Sequence, residues 1–98
     1  MISQLRIYTI NRGMMESWLK LFHGHLKPIH EKYDIPIVAA WINIDQTEFI
    51  WVRTFNSEEE IPVKEAEYHS SPERIALGDQ PQIHISKMEV RIVEPTCF

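Results

Sequence analysis

Phe49-Ile50-Trp51-Val52-Arg53-Thr54-Phe55, FIWVRTF, reads as a β-strand with bulky side chains on both of its faces. Successive strand residues point to opposite sides of a sheet. Phe49, Trp51, Arg53 and Phe55 therefore share one side, and Ile50 and Val52 share the other. The chain has 98 residues, which makes one domain, residues 1–98, with one modest core. What covers the second face of this strand decides the architecture.

Upstream, Asp45-Gln46-Thr47 is a short turn, and Ile37 to Ile44 is rich in β-branched and small apolar residues, so the two strands form an antiparallel hairpin. At the start of the chain, Ile2 to Ile10 alternates with period two, another strand. Between these lie Asn11-Arg12-Gly13, a turn, and a stretch from Met14 whose apolar positions Met15, Trp18, Leu19, Phe22, Leu26, Ile29 and Tyr33 recur every three or four residues. That is an amphipathic helix. Pro28 removes a backbone donor inside it and predicts a kink or break around Leu26 to Lys27.

Downstream, Ser57 and Glu60 have the spacing of a capping box, and Pro62 predicts an irregular helix there. Ser71-Pro72-Glu73 starts a second helical piece that Gly78 can end. Asp79-Gln80-Pro81 breaks the chain again, and Ile83 to Val93 is a last strand. The order β-α-β-β-α-β belongs to the α+β, ferredoxin-like class, a four-stranded antiparallel sheet with its helices on one side.

In that topology one sheet face is left without helices. If Leu5, Ile7, Ile50 and Val52 meet the helices, the open face receives Arg6, Tyr8, Phe49, Trp51, Arg53 and Phe55, joined by Trp41 if the hairpin aligns so. Reversing the assignment puts the aliphatic row outside instead. A ring buries about 150 to 250 Å² at roughly 25 cal/mol per Å², so leaving four in water forfeits on the order of 10 kcal/mol. A second copy of the chain, packed sheet on sheet, supplies the cover, and we expect a homodimer through the β-sheet face.

Ten Lys and Arg against fourteen Asp and Glu give a formal charge of −4, which argues against nucleic acid or an anionic membrane as partner. No apolar run approaches the roughly 20 residues that span a bilayer. MISQLRIYTI carries no signal-peptide pattern, and the single cysteine, Cys97, has no internal partner, so a cytoplasmic protein is expected.

Arg6, Tyr8, Trp41, Trp51 and Arg53 form the constellation that carries chemistry. Tryptophan and arginine on neighbouring strands can hold a flat anionic or phenolic ligand by cation–π contact and charge-assisted hydrogen bonds. The same residue types also serve as interface anchors. His23 and His25 stand two apart on a helix, about 200° from each other, and cannot grip one ion, so no metal site is expected. His30 lies near the helix end, where a protonated imidazole complements the dipole. His84 shows no sequence partner.

Leu5-Arg6-Ile7-Tyr8-Thr9, Gly13 before an amphipathic helix, Ile35-Pro36-Ile37-Val38-Ala39-Ala40-Trp41, then the FIWVRTF strand followed by Ser57-Glu58-Glu59 resemble the NIPSNAP family over nearly the whole chain. The resemblance implies a dimeric α+β barrel, the fold of antibiotic-biosynthesis monooxygenases and small haem-degrading enzymes, with a pocket between sheet and helices. Two positions depart from the family's habit: Arg74 stands where tryptophan is frequent, and Ala40 where glycine often precedes the strand-two tryptophan. The resemblance also implies that the segment of His69 borders the pocket and supplies a haem ligand in haem-degrading relatives. The asparagine and tryptophan companions of that haem site are not recognisable here, so no cofactor is expected.

The function so implied is binding, or cofactor-independent monooxygenation, of a phenolic or enolic compound. Arg53 or Tyr8 would stabilise the substrate anion, and His30 or His69 would accept its proton. The alternative is a non-catalytic homodimeric interaction protein, as proposed for larger members of the family.

Overall fold

The computed structural model describes residues 1–96; the expectation about Cys97 lies outside them. The elements are β1 (Ile2–Ile10), α1 (Met15–Leu21), a π-helical turn (Phe22–Leu26), α2 (Lys27–Lys32), β2 (Ile37–Ile42), β3 (Glu48–Phe55), α3 (Glu60–His69), α4 (Pro72–Leu77), α5 (Gln80–Ile83) and β4 (Ile85–Val93). The strands pair antiparallel in the order β2-β3-β1-β4. This is the expected ferredoxin-like α+β arrangement, with β3 inserted between β1 and β2.

Register settles which face is which. Tyr8 pairs with Phe49, Arg6 with Trp51 and Gln4 with Arg53, and Tyr8, Phe49, Trp51, Arg53 and Phe55 are all buried against the helices. The reversed assignment holds: the aromatic row is inside, and Leu5, Ile7, Ile50 and Val52 form the open face. Trp41 does not join the rings. It pairs with Ile50, so it stands on the open face and is 54% exposed. A β-bulge between Ile37 and Ala39 shifts the facing of β2, and alternation read from sequence cannot place a residue beyond an unseen bulge.

Pro28 does not break the first helix. It falls at the start of α2, and the chain widens just before it, with the Lys27 amide donating to the Phe22 carbonyl five residues back. A regular turn would press the proline ring on the Gly24 carbonyl, so the wider turn lets the helix run on. Trp18, Phe22 and Leu26 are buried on one side of that turn and Ile29 and His30 on the other.

The second helical region consists of three pieces, the first of them regular; the third, α5, occupies Gln80–Ile83, where a chain break and the start of the last strand were expected, so β4 begins at Ile85. Pro62 lies in the first turn of α3, where its missing donor leaves nothing unpaired. The capping box does not form. Ser57 uses its carbonyl, not its hydroxyl, to receive the Glu60 amide at 3.2 Å, and α3 has no side-chain cap. Ser71 does cap α4, its hydroxyl accepting from the Arg74 amide at 3.2 Å, and Gly78 ends that helix at φ +60°, a conformation L residues resist.

The core has two parts. The larger gathers Trp18, Phe22, Phe49, Trp51 and Tyr8 near Leu26, and the smaller gathers Ile29, Ile35, Phe55, Ile61 and Tyr68. Between them, at the middle of the sheet, sit buried polar groups instead of more hydrocarbon.

Candidate functional site

Those polar groups begin with Gln4 and Arg53, neighbours across β1 and β3. The Arg53 Nε donates to Gln4 Oε1 at 2.9 Å, its Nη1 donates to His30 Nε2 at 3.1 Å, and its Nη2 is ion-paired with Glu65 of α3. Arg53 is 3% exposed. Donors matched this fully offset much of the cost of burying a guanidinium. Arg6 extends the network: Nε donates to the Tyr8 hydroxyl at 2.7 Å, and Nη1 reaches Gln4 Oε1 at 3.0 Å and Glu65 Oε2 at 3.4 Å. Both guanidiniums lie near the Trp51 ring, Arg6 at 5.9 Å and Arg53 at 5.4 Å from its centroid.

His30 is held from both sides. Its Nδ1 is 2.8 Å from the Leu26 carbonyl, which accepts only from an N–H, so Nδ1 carries the proton and Nε2 offers its lone pair to Arg53. Burial, with the Arg53 and Arg6 charges, lowers its pKa to about 4. The expectation of a protonated imidazole favouring the helix dipole is therefore corrected: the ring is neutral and faces the sheet. Its ring centroid lies 5.2 Å from Trp51 and 4.3 Å from Tyr68.

These groups wall a cavity of about 100 Å³ between the sheet and the helices, smaller than the roughly 300 to 1,000 Å³ of sites for drug-sized ligands. From the sheet come Arg6, Tyr8, Trp51 and Arg53; from the helices come His30, His69, Tyr68 and Arg74. Six of the seven residues singled out from sequence are brought to this one place, and Trp41 is not. His69 is exposed, and its pKa is lowered by partial burial and by the Arg74 charge.

Glu65 and Tyr68 were not anticipated as members of the site, and Arg74 only as a departure from the family's habit that bears on the pocket's shape. Glu65 had a signal: with Ile61, Tyr68 and His69 it keeps the i, i+4, i+7, i+8 spacing of one helix face, so a carboxylate sat on the apolar stripe of α3. His84, without a partner in sequence, pairs across the fold. Its Nε2 is 2.8 Å from the Ser17 hydroxyl and its Nδ1 is 2.6 Å from the Gln80 carbonyl, tying α5 to α1.

The NIPSNAP family profile matches residues 3–98. The chain belongs to the NIPSNAP family. No curated protein matches it. Solved NIPSNAP structures share its fold: a NIPSNAP family protein from Agrobacterium tumefaciens at 22% identity and TM-score 0.91, covering 99% of this chain and 94% of that one, and an uncharacterized NIPSNAP domain protein from Burkholderia xenovorans at 16% and 0.89, covering 100% and 97%. A putative antibiotic biosynthesis monooxygenase from Nitrosomonas europaea is similar at 10% and 0.69, covering 97% and 98%. The NIPSNAP fold is thus related to that of the monooxygenases. Among the described residues no helix is long and apolar enough to cross a membrane.

Proposed function

We propose that this NIPSNAP protein binds a small planar molecule in the cavity between sheet and helices, and does so as a homodimer packed through its open sheet face. The observation that carries the binding reading is the wall itself: aromatic rings and guanidiniums converge on one cavity, where fixed dipoles act in a medium that screens them little. The likeness to monooxygenases supports a phenolic or enolic substrate whose anion reacts with dioxygen.

In that chemistry Tyr8 and Arg53 stabilise the developing oxyanion. His69 is the better proton acceptor of the two histidines, because the Nε2 of His30 already receives a hydrogen bond from Arg53 and protonating it would set two cations together. His30 then acts through Arg53, as a positioning residue. Dimerisation is supported by the open face, where Leu5, Ile7, Ile50, Val52 and Trp41 present apolar surface that a second sheet can cover.

The test is oxygen uptake and substrate depletion with a panel of phenols and enols. Turnover by the native chain that falls at least a hundredfold in His69→Ala, with phenol affinity kept, is the expected result. Absence of both binding and turnover across the panel would sink the reading and favour the non-catalytic interaction role.

A further inference from the structure

The charge of the cavity is opposite to that of the chain. Three guanidiniums, Arg6, Arg53 and Arg74, line it with one carboxylate, Glu65, while the whole protein carries −4. Arg6 and Arg53 both lean on Glu65, so a single negative charge is already shared between two positive ones. Arg74 has no carboxylate partner among the described residues. It is 7% exposed, and the acceptors it meets are neutral: the Gly78 carbonyl, at 3.0 Å from Nη1, and the Tyr68 hydroxyl. A buried cation without an anion is strongly disfavoured unless something else supplies the charge.

A second observation points the same way. The buried side-chain polar atoms without a hydrogen-bond partner among the described residues are Trp18 Nε1, Trp51 Nε1 and Arg74 Nε. All three are donors that cannot accept, and all three belong to side chains lining this cavity. Orphaned donors on three side chains of one cavity wall favour an acceptor-rich guest.

We propose that the natural ligand is a small planar organic acid, its carboxylate held by Arg74 and its remaining acceptors met by the indole N–H groups of Trp18 and Trp51. This rests on the binding role proposed above and narrows it from any planar molecule to an anion. The rings of Trp51, Tyr8 and Tyr68 suit a flat body, and the small volume limits it to about one ring. A carboxylate fits Arg74 better than a phosphate because one unmatched guanidinium, not a cluster, faces it, and a planar fork matches a planar anion.

The experiment follows the three indole N–H signals in ¹H–¹⁵N spectra of the full chain titrated with benzoate, benzamide, phenol and inorganic phosphate. Trp41, on the other face of the sheet, is the internal reference. Benzoate is expected to shift the Trp18 and Trp51 signals, leave Trp41 still, and bind at least tenfold more tightly than benzamide or phosphate. Arg74→Met is expected to erase that preference without weakening benzamide. Equal affinity for benzoate and benzamide, a preference for phosphate, or a preference that survives in a folded Arg74→Met overturns the assignment of a carboxylate. If benzamide or phenol moves the pocket indoles but benzoate has no advantage, the cavity still binds and only the anion falls; if no probe moves them, both fall. Should Arg74→Met not fold, the benzoate and benzamide comparison on the native chain decides alone.

Discussion

Between Arg53 and the Leu26 carbonyl, the His30 ring has one nitrogen accepting and one donating, and a proton added to Nε2 would meet a guanidinium at 3.1 Å. Its pKa of about 4 against an ordinary 6.5 means that between those values the unfolded chain binds a proton the folded chain does not. Stability is therefore complete above pH 6.5 and falls as pH drops toward 4, by about 3 kcal/mol from this group. Urea unfolding at pH 7 and pH 4.5 should show a loss in the native chain that is smaller in His30→Gln. Arg53→Met leaves His30 Nε2 without its donor and Glu65 and Gln4 with Arg6 alone, and should cost about 3 kcal/mol, measured the same way. The residue types of this network were legible in sequence, since Arg6, Tyr8, Trp51 and Arg53 alternate on paired strands. What could not be read was the neutral state of His30, because that depends on contacts with a strand 23 residues away.

Helix caps separate two similar motifs at the scale of the element. Ser71 hydrogen-bonds the Arg74 amide, whereas Ser57 leaves its hydroxyl out of α3. Thermal or urea unfolding should show Ser71→Ala destabilised by about 1 kcal/mol and Ser57→Ala scarcely changed. The two motifs look equally good in sequence; the structure distinguishes them because Pro72 pre-sets the first turn after Ser71, while Ser57 is spent in a turn before α3. The π-helical turn is the other element with a measurable role. Pro28 signals an irregularity in sequence, yet it does not reveal that the helix continues by admitting an extra residue. Deleting Gly24 would remove that residue and force a regular turn, pressing the Pro28 ring on the carbonyl four residues before it. The unfolding midpoint should fall by the cost of a proline held inside a regular helix, about 3 kcal/mol, whereas Gly24→Ala, with nothing within 4 Å of the added carbon, should be tolerated.

For the whole molecule, the topology was legible because strand alternation, one amphipathic stripe and turn residues all agreed, and β1 and β3 fall within their expected bounds. The facing of the sheet was not, since both of its rows are apolar and only the helices choose between them. They take the rings: Trp18, Phe22 and Phe49 are among the largest fully buried side chains, and Trp18→Ala should cost about 3 to 5 kcal/mol. The open face then bears on assembly. Sedimentation of the native chain at micromolar concentration should give a dimer, and Val52→Arg a folded monomer; a well-folded native monomer would count against the twofold assembly. Because β3 has two faces, numerical parity sorts its substitutions: odd positions from 49 to 55 border the cavity or core, and 50 and 52 stand on the open face. A slip of a single residue in that strand would exchange the two sets at once, handing Trp51 to the open face and a valine to the cavity. Insertions and deletions here should thus abolish guest recognition and quaternary structure together, where point changes can remove either one alone.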